Sequence, residues 1–215
     1  MARDELELRA SSDPALDWGV ATAPLAGESA SGDTHVVRAF PAGVLVAVID
    51  ALGHGAGAAQ AARLAADTLA QYAAEPPEEL VHRCNHVLRG TRGVVMSLAS
   101  IDWREHVMTW IGVGDVAGVL MAVPAPGATA RLETTLLTRG GIVGAGDTPP
   151  ARPWKIPLVA GDTLIFATDG IRRDFTAGGT TMRAPQAMAE ELLRKYQKGT
   201  DDALVLVARY PRETR

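Results

Sequence analysis

With 215 residues, 47% of them hydrophobic, and a formal net charge of -4, the chain can bury a sizeable core within one domain (1–215) and has no basic field to attract nucleic acid. The single cysteine, Cys84, cannot form an internal disulfide; Met1-Ala2-Arg3-Asp4-Glu5 does not open a signal-peptide apolar core, and no uncharged apolar run reaches the roughly 18 residues of a membrane helix. The expectation is a cytoplasmic, monomeric chain with neither nucleic acid nor membrane as a partner.

Leu6-Glu7-Leu8-Arg9-Ala10 alternates as a half-buried strand does, and a turn at Ser11-Ser12-Asp13-Pro14 separates it from a short strand over 18–23. A loop of small and polar residues over 27–33 leads to strands over 34–40 and 44–49, joined by Pro41-Ala42-Gly43 as a hairpin with acidic residues at one end. After Asp50 and a glycine-rich segment, Ala61, Leu64, Ala65, Thr68, Leu69 and Tyr72 fall at helical spacing in an Ala-rich stretch that runs to Ala74. A second helix follows over 78–88 and ends at Arg89-Gly90-Thr91-Arg92-Gly93. Strands over 94–101, 107–113 and 116–123 read as an antiparallel meander. Further strands are expected over 132–137, 155–158, 163–167 and 204–210, with a helix over 185–198 and a glycine-rich turn at Arg139-Gly140-Gly141-Ile142-Val143-Gly144. Two groups of strands separated by a helical pair, with a third helix late in the chain, predict an α+β layered domain.

The chemistry is written in aspartates placed where loops meet apolar strands. Asp33 follows Ser31-Gly32, Asp50 ends the run from Val44 to Ile49, Asp169 ends Leu164-Ile165-Phe166-Ala167-Thr168, and Asp201-Asp202 precede Leu204-Val205-Leu206-Val207. Any one of these alone reads best as a turn or cap residue. Brought together without opposing cations they would repel unless a divalent cation held them. Oxygen-only ligands favour Mg2+ or Mn2+ over zinc, and the chain lacks Cys/His zinc spacing.

Gly32-Asp33, Asp50-Ala51-Leu52-Gly53-His54-Gly55, Thr168-Asp169-Gly170-Ile171 and Thr200-Asp201-Asp202-Ala203-Leu204 resemble, in order and spacing, the motifs of PPM-type metal-dependent serine/threonine phosphatases. The SpoIIE-like branch is the most similar, with Gly112-Val113-Gly114-Asp115 and Gly141-Ile142-Val143-Gly144 as its glycine motifs. Within that branch, the short chain and its Leu-Gly-His-Gly segment resemble phosphatases of stressosome proteins. The resemblance extends from about Trp18 to Tyr210.

It implies an α-β-β-α sandwich of two mainly antiparallel sheets flanked by helices. It also implies two divalent cations, Mn2+ or Mg2+, bridged by Asp50 and bound by the Ala51 carbonyl, Asp169, Asp201 and, directly or through water, Asp33, with Asp202 as the alternative to Asp201. Asp50 and Asp169 would be the catalytic pair. The implied reaction is hydrolysis of phosphoserine or phosphothreonine by cation-activated water, and the implied partners are phosphorylated stressosome-type scaffold or STAS-domain proteins. Specificity would lie in surface loops over 124–131 and 145–153.

Other residues carry weaker signals. His54 could protonate a leaving oxygen or sit at a helix start. The glycines from 53 to 57 lack the Gly-Lys-Ser/Thr ending of a nucleotide loop. Arg172 and Arg173 could engage substrate phosphate or stay solvated. Asp115 and Asp147 read as turn residues, Asp174 as a possible secondary acid, His82 and His86 as a surface pair, and Cys84 as an apolar filler. The competing functional class is a phosphoprotein-binding module of the same fold with weak catalysis. A GHKL-type nucleotide box at Asp50 would need an asparagine-bearing helix upstream, which is not evident.

Overall fold

Stretches of Val, Ile, Leu and Ala interrupted by Gly, Pro and Asp form strands, and the Ala-rich stretch with apolar residues three and four apart forms a helix. In the computed structural model, residues 16–124, 133–147, 152–176 and 183–211 are described. The expected strand over 6–10, its turn over 11–14 and most of the loop over 124–131 lie outside them. The elements are β1 (Asp17–Ala23), β2 (Asp33–Phe40), β3 (Gly43–Ala51), α1 (Ala56–Gln71), α2 (Pro77–Val87), β4 (Val94–Asp102) and β5 (Val107–Val113). They continue with β6 (Ala117–Met121), β7 (Glu133–Leu136), β8 (Trp154–Pro157), β9 (Thr163–Ala167), α3 (Pro185–Tyr196) and β10 (Ala203–Arg209).

Two sheets stack face to face, one in the order β1-β10-β9-β6-β7 and the other β2-β3-β4-β5-β8, and the ladders of both are antiparallel. β3 is apolar on both faces because both are covered. Val44, Val46 and Val48 face the other sheet, packing in one cluster with Phe166, Leu204 and Leu206, while Leu45, Ala47 and Ile49 pack under α1 and α2. On the far side, Met188, Ala189 and Leu192 of α3 cover Ile165, Val205 and Val207. The α-β-β-α layering implied by the family resemblance is therefore present. Cys84 is buried between the helices and the sheet, where desolvation pushes its thiol up to about 12 and keeps it an inert filler.

The expected meander is corrected. β4 and β5 pair, but β6 leaves for the opposite sheet, where β7 and β9 flank it. The crossing turns at Gly114, whose φ of +89° suits glycine and whose absent Cβ would stand 2.2 Å from Val95 Cγ1. Crossing over lets Val116 and Leu120 bury between the sheets instead of facing solvent beyond β5. The Ala-rich helix also stops at Gln71, short of the expected Ala74, where the Tyr72 N–H closes on the Thr68 carbonyl.

The crossing also gathers strand ends. The start of β2, the end of β3, the end of β9, the start of β10 and the β5–β6 turn meet at one end of the sandwich. Val143 of the glycine-rich segment exchanges both backbone hydrogen bonds with Val94, at 2.9 and 2.8 Å, which fastens 139–144 alongside. Among the described residues no helix is long and apolar enough to cross a membrane.

Candidate metal centre

Asp33 opens β2 and Asp50 stands directly opposite it in the antiparallel register, so the hairpin alone brings these two carboxylates together. Ala51 follows as the last residue of β3, in ordinary strand conformation. Its N–H donates to the Gly32 carbonyl at 3.1 Å, but the Gly32 N–H does not complete the pair. It donates instead to Asp202 Oδ2 at 2.7 Å, leaving the Ala51 carbonyl without that ladder partner.

Asp202, almost fully buried, also accepts the Leu25 N–H at 2.8 Å through Oδ1. Both of its oxygens thus hold backbone of the loop before β2. Asp201 is partly exposed, and its Oδ1 accepts the Asp202 N–H at 2.9 Å. Asp202 thus ties the loops while its charge also bears on Asp33, and the charge of the more exposed Asp201 bears on Asp33, Asp50 and Asp169.

Thr168 fixes the neighbouring strand end. Its hydroxyl donates to Asp33 Oδ2 at 2.7 Å and accepts the Leu204 N–H at 2.9 Å, linking β2, β9 and β10 around one oxygen. Asp169 comes next and is exposed, its backbone carbonyl receiving Lys198 Nζ. Gly170 then passes so close to the Asp202 carbonyl that a Cβ would stand 1.9 Å from it. Only glycine allows the two acidic loops this approach.

Electrostatics ties the set together. Burial pushes the Asp50 carboxyl from 3.8 up to about 8, reinforced by the negative charges of Asp33, Asp169, Asp115 and Asp201. Burial likewise raises Asp33 to about 7 against the hydrogen bond from Thr168, with Asp202, Asp169 and Asp201 adding repulsion. Asp169 is raised by desolvation, then by Asp115 and Asp201, while Lys198 and Arg173 pull it back. Asp115, read from sequence as a turn residue, is in the turn and also a fifth charge felt by Asp50 and Asp169. Its glycine motif was the available signal. Thr168 and Lys198 were missed because their roles depend on strands distant in sequence.

The remaining candidates separate from the cluster. His54 precedes α1, whose N-cap is Gly55, and its Nδ1 lies 2.7 Å from Glu28 Oε1 on the surface. Asp174 pairs with Arg172 at 3.2 Å. His82 and His86 are exposed on α2.

The donor chemistry fits a hard divalent cation: carboxylates that range from buried Asp33 to exposed Asp169, a strand-end carbonyl at Ala51 that the Gly32 N–H does not engage, and mutual repulsion that a cation would remove. As they stand, no three His, Cys, Asp or Glu side chains among the described residues converge closely enough to form a chelate.

The family model for Stage II sporulation protein E (SpoIIE) matches residues 41–211. The phosphoserine phosphatase RsbX of Bacillus subtilis (strain 168) is 31% identical over 94 residues, which span 44% of this chain and 47% of that relative, less than half its length. A chain solved under the description "The bacterial stressosome: a modular system that has been adapted to control secondary messenger signaling" superposes with a TM-score of 0.80 at 27% identity, covering 91% of this chain and 100% of the other. RsbX in complex with magnesium superposes with a TM-score of 0.77 at 22% identity, covering 88% and 92%.

Proposed function

The chain belongs to the Stage II sporulation protein E (SpoIIE) family, and on that footing we propose that it is a metal-dependent phosphatase acting on phosphoserine or phosphothreonine in proteins. The observation that carries the reading is the meeting of Asp33, Asp50, Asp169 and Asp201, from four separate strand ends, in one field of mutual repulsion. Asp50 and Asp33 would hold two divalent cations, Mn2+ or Mg2+, from across the β2–β3 ladder, with the Ala51 carbonyl, Asp169 and Asp201 completing the set. Bound there, such cations would neutralise the phosphate dianion and supply activated water. The chain's own part is positional. Thr168 holds the Asp33 carboxylate by a 2.7 Å hydrogen bond, Asp202 holds the loop before β2, and Lys198 fixes the Asp169 backbone. Burial of Asp33 and Asp50 keeps bulk water from solvating them, which strengthens their pull on a cation.

Phosphorylated stressosome-type scaffold or STAS-domain proteins are the proposed substrates, supported by the likeness to RsbX and to the stressosome chain. The incomplete convergence of the carboxylates favours a second reading, a phosphoprotein-binding module with weak catalysis. One experiment decides between them: hydrolysis of p-nitrophenyl phosphate and a phosphoserine protein, with Mn2+ or with EDTA, beside Asp50→Asn and Asp169→Asn. Mn2+-dependent turnover lost in both variants is expected. Folded, phosphoprotein-binding but inactive protein would leave only the second reading.

A further inference from the structure

Beside the carboxylates a cleft of about 670 Å³ opens between the Asp115 turn, Asp169, strand β7 and the segment from Arg173 to Thr176. That volume is in the range of sites for drug-sized ligands, more than a phosphate group occupies. The acidic end carries two cations, and they differ. Lys198 is committed to the Asp169 carbonyl. Arg173 is exposed, and among the described residues its guanidinium makes no hydrogen bond or ion pair, although its charge reaches Asp169. The adjacent Arg172 is committed, 3.2 Å from Asp174 and with its guanidinium 5.2 Å from the Tyr196 ring centre.

Resting on the phosphatase reading, we infer that Arg173 binds the phosphate of a phosphorylated polypeptide and that the cleft from Asp169 to β7 holds the residues flanking it. A guanidinium presents a planar fork of donors that matches phosphate oxygens. A free arginine beside carboxylates that would hold cations can receive the same anion from a second side. The cleft then continues past Thr135 and Leu136 to Leu137, which is 70% exposed and offers apolar surface to a flanking side chain. At the far end the Thr176 hydroxyl donates to Glu133 Oε1 at 2.5 Å, joining the Arg173 segment to β7 and fixing the width of the opening. Substrate recognition thus lies on ordered strand and loop surface beside the carboxylates.

The test is steady-state kinetics with Mn2+ on p-nitrophenyl phosphate and on a phosphoserine protein, using wild type, Arg173→Gln, Arg173→Lys, Arg172→Gln and Thr135→Trp, each checked for folding by thermal melt. Arg173→Gln should raise KM about tenfold for both substrates with little change in kcat, as expected for a lost charge-assisted contact. Arg173→Lys should recover part of that loss. Arg172→Gln, which removes the same charge one residue away, should stay within about twofold of wild type. Thr135→Trp should raise the phosphoprotein KM more than that of the small substrate. Wild-type KM for the phosphoprotein in Arg173→Gln, or equal losses in the two arginine variants, would overturn the inference while leaving the phosphatase reading intact. A wild type that turns over neither substrate would remove the reading and this inference with it.

Discussion

Replacing Asp50 by Asn should make the cation-free protein more stable while abolishing its response to Mn2+. In the unfolded chain Asp50 ionises near 3.8, whereas burial and neighbouring carboxylates hold it protonated up to about 8 in the folded one. The folded state therefore binds more protons than the unfolded state between those values, so stability is fully present below about 4 and falls as pH rises through about 8. At pH 7 the cost of retaining that proton is about 1.4 kcal/mol for each pH interval above 3.8, a ceiling of about 4 kcal/mol. Asn needs no proton but leaves a polar amide in the same half-buried place, which cancels about half of the gain. The expected net is about 2 kcal/mol, or roughly 4–8 °C in Tm for a chain of this size. Calorimetry in EDTA from pH 5 to 8.5 should show wild type losing stability with pH more steeply than Asp50→Asn. Adding Mn2+ should then stabilise wild type, by about 2.7 kcal/mol at a hundredfold excess over Kd, and leave the variant unmoved. A variant less stable than wild type in EDTA at pH 7 would refute the electrostatic argument, and one stabilised by Mn2+ equally with wild type would refute the place of Asp50 in the centre.

Asp201 and Asp202 should separate cleanly: Asp202→Ala strips one buried and one part-buried backbone donor of their acceptor and should cost about 3 kcal/mol in urea unfolding, whereas Asp201→Asn should cost under about 1 kcal/mol yet remove Mn2+-dependent turnover. If Asp201→Asn retains turnover, the assignment of the ligand fails. Gly170→Ala places a Cβ 1.9 Å from the Asp202 carbonyl and should destabilise by about 3 kcal/mol, with Mn2+ affinity lowered as the two acidic loops separate. Unchanged melting and Mn2+ affinity would show that the loops can part without consequence.

The sequence by itself determined most elements, because apolar runs and glycine or proline turns are local signals. The bounds of β5 and β9 agree to the residue with the stretches read from Val107 to Val113 and Thr163 to Ala167. It also placed Asp33 and Asp50 at one end of a single hairpin, but the turn read over Pro41-Ala42-Gly43 would set Asp33 opposite Ala51; the structure closes the turn at Pro41-Ala42, pairs Phe40 with Gly43 and so sets Asp33 opposite Asp50. What only the tertiary structure decided depends on contacts between distant segments. Sheet membership was one such case: β6 pairs with β7 and β9 because burying Val116 and Leu120 between two sheets outweighs continuing the local meander. The contacts of Asp202 were another, because adjacent identical carboxylates differ only in what they meet, and Asp202 meets the Leu25 and Gly32 amides some 170 residues away in the chain. The same holds for Thr168 against Asp33, for the charge of Asp115 on Asp50, and for the free guanidinium of Arg173 beside the committed one of Arg172. A side chain's chemistry is set by its spatial neighbours, and at this end of the sandwich those neighbours come from strands brought together only by folding.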